Sequence, residues 1–315
     1  MRKVLRCSAT AFAAAIAWMA AAPASATAVS YQFTLIADTT GPFSGFGQSV
    51  SINNAGTVAF NAGLDAGGIG FFTGSGGAIT TIADSSGPIS TFTGGVAVIN
   101  DAGTVAFFAT LDTGVRGIFA GTGGPLTTIA TEGGPVTSAF GFTPSINNGG
   151  TVAFTTGLVA GGSGVFTGAG GPITTIATTA GPFNTVQNPD INNAGTVAFS
   201  GNFDTGAGNQ YVVSGTGEPF TTIAQTGSGF TLLGLLNVAI NDAGTVAFRG
   251  FSPTGGFFTG AGGPTTTIAA SSGPLNIALA NSRVALNNAG EVAFLAGLDA
   301  GGEGIFTGPT RRFPS

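Results

Sequence analysis

The chain has 315 residues, of which 43% are hydrophobic and 7% charged, with 8 basic and 13 acidic residues and no histidine. This composition lacks the low hydrophobicity and high charge of a disordered chain, and its 56 glycines without a three-residue period exclude collagen. An acidic chain repels phosphate, so neither nucleic acid nor an anionic lipid surface is an expected partner.

The first 26 residues read as a secretory signal. "MRKVLRC" is a basic n-region, "SATAFAAAIAWMAAA" an apolar h-region and "PASA" a small-residue cleavage site. Cleavage is expected after Ala26, with Ala28 as the alternative. The apolar run falls short of the ~18–20 residues of a membrane span, and Cys7 precedes the h-region, which argues against a lipoprotein. The expected product is secreted, periplasmic or extracellular, without stable membrane insertion.

Removal of the signal leaves five arginines and no lysine, cysteine or histidine. Ser-His-Asp and Cys-His nucleophilic sites, histidine-based metal sites and disulfides are therefore excluded. No GxxxxGK[ST] phosphate loop occurs.

The next stretch, "YQFTLIADTTGPF", matches the later "ITTIADSSGPI". Six near-copies of "INNAGTVAF" then follow, with their first asparagines at Asn53, Asn100, Asn147, Asn192, Asn241 and Asn287, spaced by 47, 47, 45, 49 and 46 residues. Each copy reads as four strands separated by glycine-bearing turns: one ending in "SIN", then "TVAFNAG", "GIGFFTG" and "ITTIAD". Four strands in roughly 40–50 residues make one propeller blade.

The last copy stops after "GIFTG" at 304–308, without a fourth strand, while the mature chain begins with one. A ring closes if the N-terminal strand completes the last blade. The expected fold is an all-β, six-bladed β-propeller over 27–308 with a short tail at 309–315; a β-solenoid, which needs polar capping repeats, is the alternative. Phe60, Phe107, Phe154, Phe199, Phe248 and Phe294, with the second series Phe72, Phe119, Phe166, Phe258 and Phe306, are expected to pack between blades.

"NNAG" fits a type I turn followed by a left-handed residue. Asn53, Asn100, Asn147, Asn192, Asn241 and Asn287 open it, each bonding the backbone two residues on. Gly56, Gly103, Gly150, Gly195, Gly244 and Gly290 close it. The second position alternates between Asn and Asp (Asp101, Asp242), which argues for a structural turn over a sixfold site. These uniform turns leave one face of the ring. Loops of variable length, such as "LDAGG" and "FDTGAGNQ", leave the other, and that diverse face is the candidate binding face.

On the diverse face Asp65, Asp112, Asp204 and Asp299 lie twelve residues after their motif asparagine. They are Asx-turn residues, or else carboxylates for Ca²⁺ or a sugar; no DxDxDG loop accompanies them, and no cofactor is expected. Asp190 and Arg283 precede the first strands of two blades and are placed near the channel mouth. A carboxylate pair such as Asp190 and Glu132 could hydrolyse glycosides, but nothing marks one acidic pair above another.

"NNAGTVAF", "NDAGTVAF", "NNGGTVAF" and "NNAGEVAF" all match NxxGxxAF. The chain resembles the bacterial exported NxxGxxAF tandem-repeat proteins, sometimes called choice-of-anchor proteins, over nearly all of its mature length. The resemblance implies an envelope or extracellular location and no particular activity. Members often end in a sorting segment with an apolar helix; this chain ends "GIFTGPTRRFPS" instead, which favours release. The expectation is a monomeric, non-catalytic binding scaffold for a glycan, peptide or surface ligand, with a carbohydrate-active enzyme or a structural matrix protein as alternatives.

Overall fold

A computed structural model describes residues 32–309 except 93, 142, 205–207, 272–274 and 278–283; the expected signal segment, its expected cleavage site and the tail after residue 309 lie outside the described residues. All described regular structure is β, arranged as six antiparallel blades in a ring. Blade 1 comprises Phe43–Ile52, Val58–Leu64, Ile69–Gly74 and Thr80–Asp84, hydrogen-bonded in chain order. Blades 4 and 5 repeat it, beginning at Phe183–Ile191 and Leu232–Ile240. Blades 2 and 6 split the first strand in two, Ile89–Thr91 with Ala97–Ile99 and Leu275–Asn276 with Val284–Leu286, and blade 3 keeps only Ser145–Ile146 of it.

The repeated sequence imposes a repeated register. Val58 faces Gly74 across the second and third strands, as Val105 faces Gly121, Val152 Gly168, Val197 Gly215, Val246 Gly260 and Val292 Gly308. The two phenylalanine series are thereby cross-strand partners: Phe60 with Phe72, Phe107 with Phe119, Phe154 with Phe166, Phe248 with Phe258 and Phe294 with Phe306. Phe199 faces Val213, the one break in the second series.

Successive residues of a strand point to opposite faces, so each blade offers one set of apolar side chains to the blade before it and another to the blade after. Ala59, Phe71 and Ile82 of blade 1 join Val105, Phe107 and Phe119 of blade 2 in one core. The same arrangement recurs between blades 2 and 3, 3 and 4, 4 and 5, and 5 and 6. The "TTIA" isoleucines sit where the third-to-fourth-strand register shifts, a bulge that re-aims a side chain. Their Cγ2 atoms reach the glycine ending the third strand of the next blade: Ile129 would stand 3.2 Å from a Cβ at Gly168, Ile223 3.2 Å from one at Gly260 and Ile268 2.8 Å from one at Gly308. At Gly121 the nearest atom is instead Leu126 Cδ2 of the same blade and at Gly215 it is Phe220 Cδ1, so crowding from both sides leaves no room for a side chain at the end of the third strand.

The start of the chain enters this scheme through Ile36, whose Cγ2 would stand 3.2 Å from a Cβ at Gly74. Asp38 accepts from the Thr40 N–H as Asp84 does from the Ser86 N–H. Ile36 thus occupies, against blade 1, the place of a fourth-strand isoleucine from the preceding blade. Among the described residues, however, Leu35–Asp38 is not assigned to a strand and no ladder joins it to Glu303–Pro309. Ile305 is 82% exposed, whereas its counterparts Phe71, Ile118, Val165, Val212 and Phe257 are each 0% exposed. The blade 6–blade 1 junction is the one without a covalent link between consecutive blades.

Phe154 is fully buried, with Phe140 and Phe166 at ring-centroid distances of 6.2 and 6.0 Å. Phe154→Ala should cost about 3–5 kcal/mol in equilibrium denaturation. A loss well under about 1 kcal/mol, below even the mildest of the large-to-small core substitutions to Ala, would contradict its place in the blade 2–blade 3 core.

Candidate functional site

The "NNAG" turns form one structure at the axis. In every copy the Gly N–H bonds the carbonyl of the leading Asn, 3.0 Å from Gly56 to Asn53. The six closing glycines hold φ between 76° and 83°, a left-handed conformation that glycine adopts without steric cost. The asparagine side chains do more than the sequence suggests. Each Oδ1 accepts the N–H four residues on, at Thr57, Thr104, Thr151, Thr196, Thr245 and Glu291; the expected bond two residues on is made by Asn53, to Ala55. Each Nδ2 from Asn53 to Asn241 donates to the carbonyl of the leading Asn in the next blade, at 2.9–3.3 Å. In the last copy Asn287 donates to its own Glu291 instead.

The second turn position builds another tier. Backbone N–H groups of Asn54, Asp101, Asn148, Asn193 and Asp242 donate to the side-chain oxygen of the next residue in the series, ending at Asn288. Asp101 Oδ2 also accepts from the Asn54 and Asn148 amides, and Asp242 Oδ2 from those of Asn193 and Asn288. Around the ring the order is Asn, Asp, Asn, Asn, Asp, Asn, so each carboxylate stands between two amides. The backbone N–H of Asn54 and the neighbouring amides hold the Asp101 carboxyl below the usual carboxylate range. Asp242 is lowered in the same way, first by the Asn193 N–H, against burial and the repulsion of Asp101. The alternation of charge has a structural reason: an aspartate accepts from both sides at once.

Below this tier lies an axial cavity of about 160 Å³, touched by the first strands or approaches of blades 2 to 5. Asp190 lines it, lying inside its first strand and not before it, beside Asn188 at φ 50° and a register shift between Gln187 and Asp190. Its carboxylate accepts from Ser145 Oγ in blade 3 and from the Ile240 N–H in blade 5 at 2.8 Å. Burial pushes its carboxyl above the usual range, against those hydrogen bonds. Arg283, its expected neighbour, lies outside the described residues.

The loop face is arranged differently. Asp65, Asp112, Asp204 and Asp299 are all exposed. Their loops are tied by backbone bonds: Asp65, Asp112 and Asp204 donate their N–H to the carbonyls of Pro42, Pro88 and Pro182, each at 2.9 Å, and Val159 does so to Pro135. The turn opens at the residue before, with Gly67 bonding Leu64 and Gly301 bonding Leu298, so these aspartates are not the residues whose carbonyls close it. Among the described residues no group of three or more Asp, Glu, His or Cys is placed to hold a metal ion. Glu132 receives the Arg116 N–H in the position where Ser85, Thr179 and Thr226 latch the third strand of their blades. It does not line the Asp190 cavity.

Two polar side chains that the sequence reading passed over lie between blades, at one repeat position. Arg249 is buried, donates from Nη2 to the Ile277 carbonyl at 2.9 Å, lies over the Phe251 ring and leaves Nε without a partner. Asn61 leaves a buried Oδ1 without a partner. That position varies from blade to blade, with Phe108, Thr155, Ser200 and Leu295 in the other four copies, so no local pattern singles out either residue.

These carboxylates set opposing pH effects. Asp190 has a raised native pKa, so the stability tied to its proton is full below 3.8 and is lost as pH rises through the native value. Asp101 and Asp242 are lowered, so theirs is present above 3.8 and lost as pH falls through their native values. Thermal midpoints should peak near about pH 4. Asp190→Asn, which can still accept from Ile240 and donate to Ser145, should remove the decline on the alkaline side and raise the midpoint at pH 7. A lower midpoint at pH 7 would show that the ionised carboxylate is required.

No curated protein matches the chain. Among solved structures it is similar to a puromycin-hydrolyzing peptidase of Mycobacterium tuberculosis (TM-score 0.48, 11% identity), covering 84% of this chain and 51% of that one, so it spans about half the length of the peptidase. It is also similar to the fucose-recognising six-bladed lectin of Aleuria aurantia (TM-score 0.43, 9% identity; 83% and 94% covered). A Hadza microbial sialidase is similar at TM-score 0.45 and 9% identity, with 83% and 65% covered. Residues 52–278, most of the ring, match the "Family of unknown function (DUF7453)", and the chain belongs to that family.

Proposed function

We propose that the protein is an exported, non-catalytic, monomeric β-propeller that binds a glycan, peptide or surface ligand through its loop face. The observation that carries this reading is the division of labour between the two faces. On one, the repeated turn side chains are engaged in joining blade to blade. On the other, loops of unequal length present exposed aspartates on backbone-tied turns. Loops held on a rigid frame are where binding residues accumulate, and export would place that face outside the cytoplasm. Among the described residues no helix is long and apolar enough to cross a membrane.

The test is a glycan and protein array probed with the purified chain and with a variant carrying Asp65→Ala, Asp112→Ala, Asp204→Ala and Asp299→Ala. These exposed substitutions should each change stability by no more than about 0.5 kcal/mol while altering the binding pattern. An array without any ligand, or a pattern indifferent to all four changes, would overturn the loop-face reading.

A further inference from the structure

The face that blade 1 turns towards blade 2 lacks side chains where its neighbours have them. Gly45, Gly47 and Gly63 lie around Asn61 on the first and second strands, and with Ile69 and Phe92 they line a cavity of about 310 Å³. At the corresponding place between blades 2 and 3, Phe108 packs on Phe140 at 5.7 Å and fills the space. Asn61 lies where it does because residue 47 is glycine: a Cβ there would stand 2.0 Å from its Oδ1. Ser44 and Ile69 sit at the loop-side ends of their strands, so the cavity belongs to the loop face.

Leaving a buried acceptor unpaired forfeits its hydration without return, and the Asn61 Oδ1 is such an atom. Rotation of the carboxamide exchanges its two ends, so the cavity can be offered a donor or an acceptor. Among the described residues no charged side chain lines the cavity, while Phe92 and Ile69 supply apolar surface. Its volume falls at the small end of the ~300–1,000 Å³ typical of ligand sites, room for one ring and not for a length of polymer.

We propose that this cavity binds one neutral sugar ring, with its C–H face on the apolar wall and a hydroxyl on the Asn61 carboxamide. A hydroxyl both donates and accepts, so it satisfies either end of the amide, and an uncharged ligand suits an uncharged wall. This proposal rests on the loop-face binding reading and names its ligand class.

The experiment titrates the ¹⁵N-labelled full chain with a panel of neutral monosaccharides and follows the Asn61 side-chain amide signals, assigned with Asn61→Leu. At least one sugar should shift them saturably. A Cβ at Gly45 would meet nothing within 4 Å, so Gly45→Leu should fill the cavity without unfolding the chain and weaken binding by about tenfold or more, the equivalent of ~1.4 kcal/mol. Asn61→Leu, which removes the unpaired polar group, should bind no better than Gly45→Leu and keep or raise the thermal midpoint. If no sugar moves the Asn61 signals, or a simple amide or short peptide does so in place of every sugar, the proposal is overturned. Binding that survives both folded variants overturns it as well. An array ligand that survives both variants but depends on the loop aspartates would leave the loop-face reading standing without this cavity.

Discussion

The carboxamide of the leading turn asparagine holds the ring in order. A turn needs only an acceptor there, and an aspartate would serve. Joining blades needs a donor as well, and asparagine has both: Oδ1 closes its own hairpin while Nδ2 reaches the next blade. A side chain that did only the first task would leave adjacent sheets joined by apolar packing, which is non-directional. The relay supplies direction, fixing how far each sheet slides along its neighbour. Each bond contributes about 0.5–1.5 kcal/mol net, a modest amount repeated at five junctions.

The apolar cores then follow from the register that the relay fixes. With the turns aligned, each Phe–Phe cross-strand pair meets the small alanine face and the bulged isoleucine of the blade before it. The junction between blades 6 and 1 shows what happens where the relay stops. Asn287 turns to its own Glu291, Ile305 remains exposed, and the start of the chain contributes Ile36 without a paired strand. Packing and relay weaken together there because the chain itself supplies no link.

A frame stabilised by repeated contacts can tolerate single departures, and the departures are chemically distinct. Asp190 replaces the small residue that other blades place beside the axis and ties three blades together through Ser145 and Ile240. Arg249 and Asn61 share one inter-blade position whose other copies are Phe108, Thr155, Ser200 and Leu295. Arg249 offsets part of its desolvation with a carbonyl and an aromatic ring, and that desolvation lowers its pKa. Asn61 has no such compensation, and beside it the glycines leave space instead of a side chain.

The sequence by itself determined the blade, the period and the two faces. Short apolar segments and the Asn–Gly turns are local signals, and the displaced "YQFTLIAD" matches the fourth strands by sequence alone. The strand registers, the buried phenylalanines and the left-handed turn glycines all agree with it. What it could not contain was contact between residues some 45–49 positions apart. The Asn–Asp alternation looked indifferent to charge because the two partners of each aspartate belong to other blades. Asp190 and Glu132 stand out in the sequence only as acidic residues, and the tertiary structure alone gives each its hydrogen-bonding partner. Asn61 was invisible for a related reason: Gly45 and Gly47 on one strand and Gly63 on the next leave space beside it, and only the folded sheet brings those glycines round one side chain.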